Sequence, residues 1–216
     1  MRCTGSPVPT ATLLDPGAAA WSAVPAELID LGGTPLANQP SGFVRSYDPA
    51  RVGRVKRLEV RTTHADDTIL FRLLWADDTR NLEVTDNDTF PDGCGILFPL
   101  ADGDVPIQEM GGPGKPVNAW FWRADFEDRP RNVVAEGLGT TRATARSLVS
   151  ARSRWEGGGW QVVLARPLAV PEQLGEAVQL AVGSSTKVGF AVWEGSNGER
   201  GGIKAFSREW RRLEIA

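Results

Sequence analysis

Apolar and polar positions alternate in short bursts along most of this chain, and a period of two marks a half-buried strand. The first clear burst is RVKRLEVRTT: Leu58, Val60 and Thr62 share one face, and Arg57, Glu59 and Arg61 share the other. After the polar turn HADD, the stretch TILFRLLW sets Ile69, Phe71, Leu73 and Trp75 against Leu70, Arg72 and Leu74. Two such runs joined by a short polar turn predict a β-hairpin. Asp77, Asp78 and Asn81 then suit the turn that ends it. Further strands are predicted in GILFP, NAWFWRAD, RNVVAEG, GWQVVLARPL, EAVQLAVGSS (through Val178, Leu180 and Val182), KVGFAVWEG and the closing REWRRLEIA. ATARSLVSAR commits to neither helix nor strand.

Between these runs lie Gly- and Pro-rich loops, notably EGGG at 156–159 and GSNGERGG at 195–202. Many short strands with no long amphipathic helix predict an all-β, antiparallel sandwich or barrel. Upstream, residues 1–20 are small, Pro- and Ala-rich and patternless, and read as a flexible N-terminal arm. WSAVPAELIDL, from Trp21 to Leu31, has room for one helical turn, and a loop follows. No boundary is visible after residue 20, so 21–216 reads as one domain.

Composition narrows the chemistry. The 216 residues are enough to bury a core without staples. A net charge of −3 argues against a nucleic-acid or membrane-surface binder, and no apolar run is long enough to span a bilayer. No basic start followed by an apolar core marks a leader. Two cysteines, Cys3 and Cys94, make no metal cluster alone, leave a disulfide open, and form no C-x-x-C-H for covalent haem. A single histidine, His64, rules out a two-His metal site within the chain, and G-x-S-x-G is absent. The eight tryptophans suit a core between sheets about 10 Å apart. Asp77, Asp78, Asp86 and Asp88 match no calcium-loop spacing and read as turn formers.

The stretch from Pro106 to Asp125, PIQEMGGPGKPVNAWFWRAD, carries the candidate chemistry. Met110, the one methionine besides Met1, sits on a Gly/Pro-rich loop that runs into the aromatic strand at 119–122. On the residues alone, such a methionine is gap-filling core by default, and a Lys flanked by small residues is a surface group. Trp120 and Trp122 read by default as one core-facing side of a strand.

Four phrases taken together change those defaults: LLWADDTRN at 73–81, EMGGPGKPVNAWFWRAD at 109–125, WQVVLARPL at 160–168, and FAVWEGSNGERGGIKAFSREWRRLEI at 190–215. In order and spacing they resemble the haem b-binding gamma subunits of the periplasmic molybdoenzymes related to ethylbenzene dehydrogenase, dimethylsulfide dehydrogenase, and selenate and chlorate reductases. The resemblance covers most of residues 30–215. It implies a β-sandwich of immunoglobulin-like or DOMON-like kind, with short helices and long loops, holding one non-covalent haem b.

The axial ligands it implies are a methionine in the M-G-x(n)-P-V-N-x-W-x-W phrase, here Met110, and a lysine in the G-x-K-x-x-S-x-x-W phrase, here Lys204. Gly111, Asn118, Trp120 and Trp122 are the further candidates for contact with the cofactor. Arg123, Arg200 and Arg208 flank the two phrases as candidate propionate partners. A thioether is a soft neutral ligand that raises the potential of haem iron, and a lysine ligates only as the neutral amine. Two ligands leave no open position, so such a site moves electrons. The resemblance further implies a molybdopterin-containing alpha subunit, an iron–sulfur beta subunit, a soluble cytochrome or similar carrier, and a periplasmic location. The chain itself would not be an enzyme.

Two alternatives stay open. His64 in the THADDT turn could replace Lys204 as the second ligand. The chain could also be a haem-free carbohydrate-binding sandwich, with Trp120, Trp122 and Trp193 as partly exposed sugar platforms and Met110 as filler.

Overall fold

The computed structural model of the chain describes residues 1–84 and 87–216, so Asp86 of the acidic set lies outside the described residues. In chain order the elements are β1 (Arg2–Gly5), α1 (Thr10–Leu13), β2 (Ala26–Asp30), β3 (Gly32–Gly33), α2 (Gly42–Arg45), β4 (Arg57–Ala65), β5 (Thr68–Ala76), β6 (Gly93–Pro99), β7 (Val117–Arg123), β8 (Arg131–Ala135), β9 (Arg142–Ala143), β10 (Ser150–Trp155), β11 (Gly159–Pro167), β12 (Ser185–Trp193), β13 (Ala205–Phe206) and β14 (Arg211–Ile215). Strands dominate, as the alternation predicts. They follow the hydrogen-bonded order β10-β11-β5-β4-β1-β14-β12-β6-β7-β8-β9, with β2 added on β4, β13 on β12, and β3 on β13.

The hairpin of β4 and β5 forms with His64 opposite Ile69 and Ala65 opposite Thr68. Its two turn residues, Asp66 (φ 48°) and Asp67 (φ 59°), are both left-handed. That geometry matches the right-handed twist of the flanking strands, and aspartate tolerates it.

The two layers close on aromatic rings. Trp120 and Trp122 of β7 are fully buried between them. The Trp120 ring lies 5.8 Å from Phe71 of β5 and 5.0 Å from Phe98 of β6, and Trp122 lies 5.2 Å from Trp160 of β11. Rings from both layers thus interlock in edge-on and tilted contacts, as aromatic quadrupoles prefer. Cys3 and Cys94 are buried free thiols in the same core, and burial raises the Cys3 thiol to about 11.

Three expectations are corrected. The first residues are not a flexible arm: β1 pairs in parallel with both β4 and β14, Cys3 is wholly buried, and Leu13 and Trp21 seal a second apolar cluster. The four residues of β1 hold their place mainly through backbone hydrogen bonds, which a hydrophobic pattern does not report. These parallel pairs also make the sheet mixed rather than purely antiparallel. Finally, EAVQLAVGSS is no strand until Ser185. Val178 and Leu180 are buried there, but side chains and loop carbonyls satisfy the backbone: Val178 N donates to Asn118 Oδ1 (3.1 Å) and Leu180 N to the Leu168 carbonyl (3.0 Å).

Candidate cofactor-binding site

Side chains alternate across a strand. In the layer β12-β6-β7-β8, one set of positions feeds the core and the other faces outward. Gly95 and Leu97 of β6, Ala119 and Phe121 of β7, Val133 of β8, and Ala191 and Trp193 of β12 make the outward floor of a cavity of ≈ 360 Å³. Four chain segments cover it: 39–44 with α2, 107–110, 138–141 and 201–204. Gly95 keeps the floor low, since an added Cβ would already touch the Trp193 ring at 3.5 Å.

Met110 and Lys204 both line this cavity. The loop holding Met110 is tied down at each step. Its N–H donates to the Ile107 carbonyl (3.2 Å), Gly111 N to the Pro106 carbonyl (2.9 Å), and Gly137 N, beyond β8, to the Met110 carbonyl (3.0 Å). Met110 itself has φ 56°, a conformation uncommon outside glycine. A non-glycine residue held there by its surroundings marks a site where geometry matters more than local stability. Gly111 follows at φ 86°, and a Cβ on it would come within 2.5 Å of the Lys115 carbonyl. Glycine is therefore required for the turn that presents the thioether.

Lys204 is anchored through its backbone. Its carbonyl accepts from Thr34 N (3.0 Å) and Thr34 Oγ1 (3.1 Å), and the neighbouring Ile203 is wholly buried against Leu36 and Val52. The lysine is 8% exposed, and its Nζ lies 5.4 Å from the Trp193 ring centroid. Among the described residues no carboxylate pairs with it. Burial lowers its pKa to about 8, so the neutral amine is within easy reach.

Gln39 is the residue that sequence reasoning missed. It is 5% exposed, lines the cavity, and its Nε2 has no hydrogen-bond partner among the described residues. Gly202 makes room for it, since a Cβ there would fall 2.4 Å from Gln39 Oε1. Its loop, LANQPSG, carried no signal beyond its turn composition. Phe121 and the 138–141 segment were missed as well, and the strand phase of β7 could have indicated Phe121.

Other candidates lie elsewhere. Asn118, Trp120 and Trp122 occupy the alternate phase of β7 and point away from the cavity. Asn118 is instead a buried knot, with Nδ2 donating to Asn132 Oδ1 (2.6 Å) and the Val133 carbonyl (3.1 Å). Gly111 adjoins the cavity through Met110. His64 sits at the far end of β4 with Nε2 3.0 Å from the Ala216 carbonyl, so it does not meet Met110. Arg123, Arg200 and Arg208 do not line the cavity. Arg123 forks onto Asp125 (2.6 Å), Arg200 lies over the Phe90 ring (4.1 Å), and Arg208 lies beside Gly32. A sugar platform of Trp120 and Trp122 is absent because both rings are fully buried.

The fold and the site define an all-β sandwich with one apolar chamber, reached by a thioether, an amine and two amides, and with no carboxylate, thiol or imidazole among its described lining residues. A sequence model of the ethylbenzene dehydrogenase family matches residues 18–147 and 142–205, and the chain belongs to that family. It is 34% identical over 200 residues to the chlorate reductase gamma subunit of Ideonella dechloratans, covering 93% of this chain and 79% of that one. It is 32% identical over 195 residues to a Haloferax mediterranei protein assigned as a respiratory nitrate reductase haem subunit, covering 90% of this chain and 66% of that one. In overall fold it resembles a Bacteroides uniformis protein assigned to carbohydrate binding, with a TM-score of 0.54 at 12% identity, covering 100% of this chain and 99% of that one.

Proposed function

We propose that this chain is an electron-transfer subunit that holds one non-covalent haem b, with Met110 and Lys204 as its axial ligands. The observation that carries the reading is that these two side chains, distant in sequence, line one apolar cavity from two different loops. The donor set fits the group: a soft thioether and an amine with a lowered proton affinity suit haem iron. Bound haem would supply one-electron redox chemistry.

The chain's own residues do the rest. The Gly111 turn and the Gly137–Met110 hydrogen bond hold the thioether in place. Thr34 and Ile203 fix the backbone of Lys204, and the apolar surround lowers the proton affinity of its amine. Phe121, Leu97, Val133 and Trp193 exclude water from the floor. Gln39 offers the cavity an amide donor that is otherwise unused.

The relatives' names support the wider setting: one is a gamma subunit of a reductase, the other a haem subunit. In this reading a molybdopterin-containing alpha subunit performs the substrate chemistry. Electrons pass between its iron–sulfur beta subunit and a soluble cytochrome or similar carrier through this chain, in the periplasm. Absorption spectroscopy of the haem-reconstituted chain tests the site. A six-coordinate low-spin spectrum is expected, shifting toward high spin in both Met110→Ala and Lys204→Ala. No Soret band at stoichiometric haem, or a shift in neither variant, would sink the reading.

A further inference from the structure

A second cluster of ligating groups lies just past the C-terminal end of β12, where Glu194 follows Trp193 of the cavity floor. Asp77 leaves the C-terminal end of β5, Asp92 precedes β6, and Glu194 follows β12. One carboxylate oxygen from each lies within 4.8 Å of the other two, and all three residues are buried. Among the described residues none of the three forms an ion pair. Buried charges are ordinarily paired or bound to a metal, because desolvation of a lone carboxylate costs several kcal/mol.

The polar groups around the cluster compensate it unevenly. Asp92 accepts from Gly195 N (2.8 Å), Asn81 N (2.8 Å) and Trp160 Nε1 (2.9 Å). Glu194 Oε1 accepts from the Ser196 hydroxyl. Asp77 Oδ1 accepts from Thr79 N and Oγ1, both at 3.1 Å. Asp77 Oδ2, on a residue only 4% exposed, accepts no hydrogen bond among the described residues. A buried, unpartnered carboxylate oxygen on a residue beside two further carboxylates leaves the cluster short of positive charge. A polar depression bordered by Asp77, Asp78, Thr79, Glu194 and Ser196 gives access from the surface, and Arg54, which also lines it, forms no ion pair with the three carboxylates among the described residues.

We propose that Asp77, Asp92 and Glu194 bind one Ca²⁺ ion that clamps the ends of β5, β6 and β12 together. The ligand chemistry is all-oxygen and anionic, which selects hard cations over zinc or copper. The oxygen separations fit within twice a Ca–O distance of about 2.4 Å. Spare lone pairs on Asp92 and Glu194 remain for the ion, since a carboxylate has about four acceptor sites. The spacing of the residues matches no calcium loop, because tertiary structure rather than a contiguous segment assembles the site. Its position has a consequence for the segment beyond it. Residues 195–203 connect Glu194 to Lys204, so the ion would fix the root of the loop that carries that lysine.

The test uses the full chain, stripped with EDTA and dialysed at pH 8, with CaCl₂ and TbCl₃ as probes. Calcium is expected to raise Tm by roughly 5–10 °C at 100 times Kd. Tb³⁺ is expected to show emission sensitised through Trp160, displaced by Ca²⁺. Asp77→Asn keeps the shape and removes one charge. It should unfold in EDTA at or above the wild-type Tm, yet lose both the calcium shift and the terbium signal. Glu194→Gln supplies the same reading should Asp77→Asn fail to fold. A wild-type chain whose Tm is indifferent to calcium and which gives no terbium emission overturns the proposal. So does a full calcium response in both variants.

Discussion

Lys204 Nζ lies 5.4 Å from the centroid of the Trp193 ring, and that ring is the one charge-compensating contact the amine has among the described residues. An ammonium over an aromatic face gains little compared with its lost hydration. The arrangement therefore favours an amine that gives up its proton.

A pH dependence follows. The unfolded lysine titrates near 10.4 and the folded one at about 8. Between these values the unfolded state binds the extra proton, so stability of the haem-free chain rises with pH. Below about 8 the penalty is fully present, and above about 10.4 it is gone. The gain should be on the order of 1–3 kcal/mol relative to Lys204→Met. Denaturant titrations at pH 7.5 and 10 check it, and equal slopes for the two proteins would show that Lys204 is not depressed.

Haem uptake should follow the same proton. If Lys204 ligates as the neutral amine, affinity falls about tenfold for each pH unit below 8. Soret titrations from pH 6 to 8 read this directly. A flat profile in the wild type points to a second ligand other than Lys204.

The backbone at Met110–Gly111 gives a third expectation. Gly111→Ala introduces a Cβ 2.5 Å from the Lys115 carbonyl at φ 86°. It should cost about 1–3 kcal/mol and displace the thioether. Met110→Gly should instead leave stability nearly unchanged, since φ 56° suits glycine, while removing the ligand. Thermal melts paired with spectra separate the two effects.

The two faces of β7 should behave differently. Trp122→Ala empties a core position against Trp160 and should cost about 3–5 kcal/mol. Its bound-haem spectrum, where folded protein is obtained, should keep wild-type band positions. Phe121→Ala lies on the cavity floor and should weaken haem retention with a smaller loss of stability. The reverse pattern would contradict the strand phase seen here.

Removal of residues 1–5 should be strongly destabilising. β1 is the strand between β4 and β14 that joins the two layers, and it buries Cys3 completely. A truncated chain with an unchanged melting temperature would mean that this pairing is dispensable.

Much of the fold was legible because it rests on alternation. The β4–β5 hairpin, the aromatic strand β7 and the long β11 and β12 all repeat with period two. β1 was not legible, because Cys3 is the one buried residue of its four, too few to show an alternation. The 176–182 segment was misread for the opposite reason. Its apolar residues are buried, but Asn118 and the Leu168 carbonyl take the hydrogen bonds that a neighbouring strand would have taken.

The sequence by itself determined the kinds of groups available: one internal methionine, four lysines, one histidine, and enough alternating apolar residues for two packed sheets. The resemblance of four phrases selected Met110 and Lys204 from these. Only the tertiary structure decided which face of β7 looks into the cavity, because the phase of a strand depends on what packs against it. Trp120 and Trp122 went to the core and Phe121 to the cavity. The same holds for Gln39 beside Lys204, and for Asp77 beside Asp92 and Glu194. Each of these meetings joins residues remote along the chain, and the closure of the two layers brings them within reach.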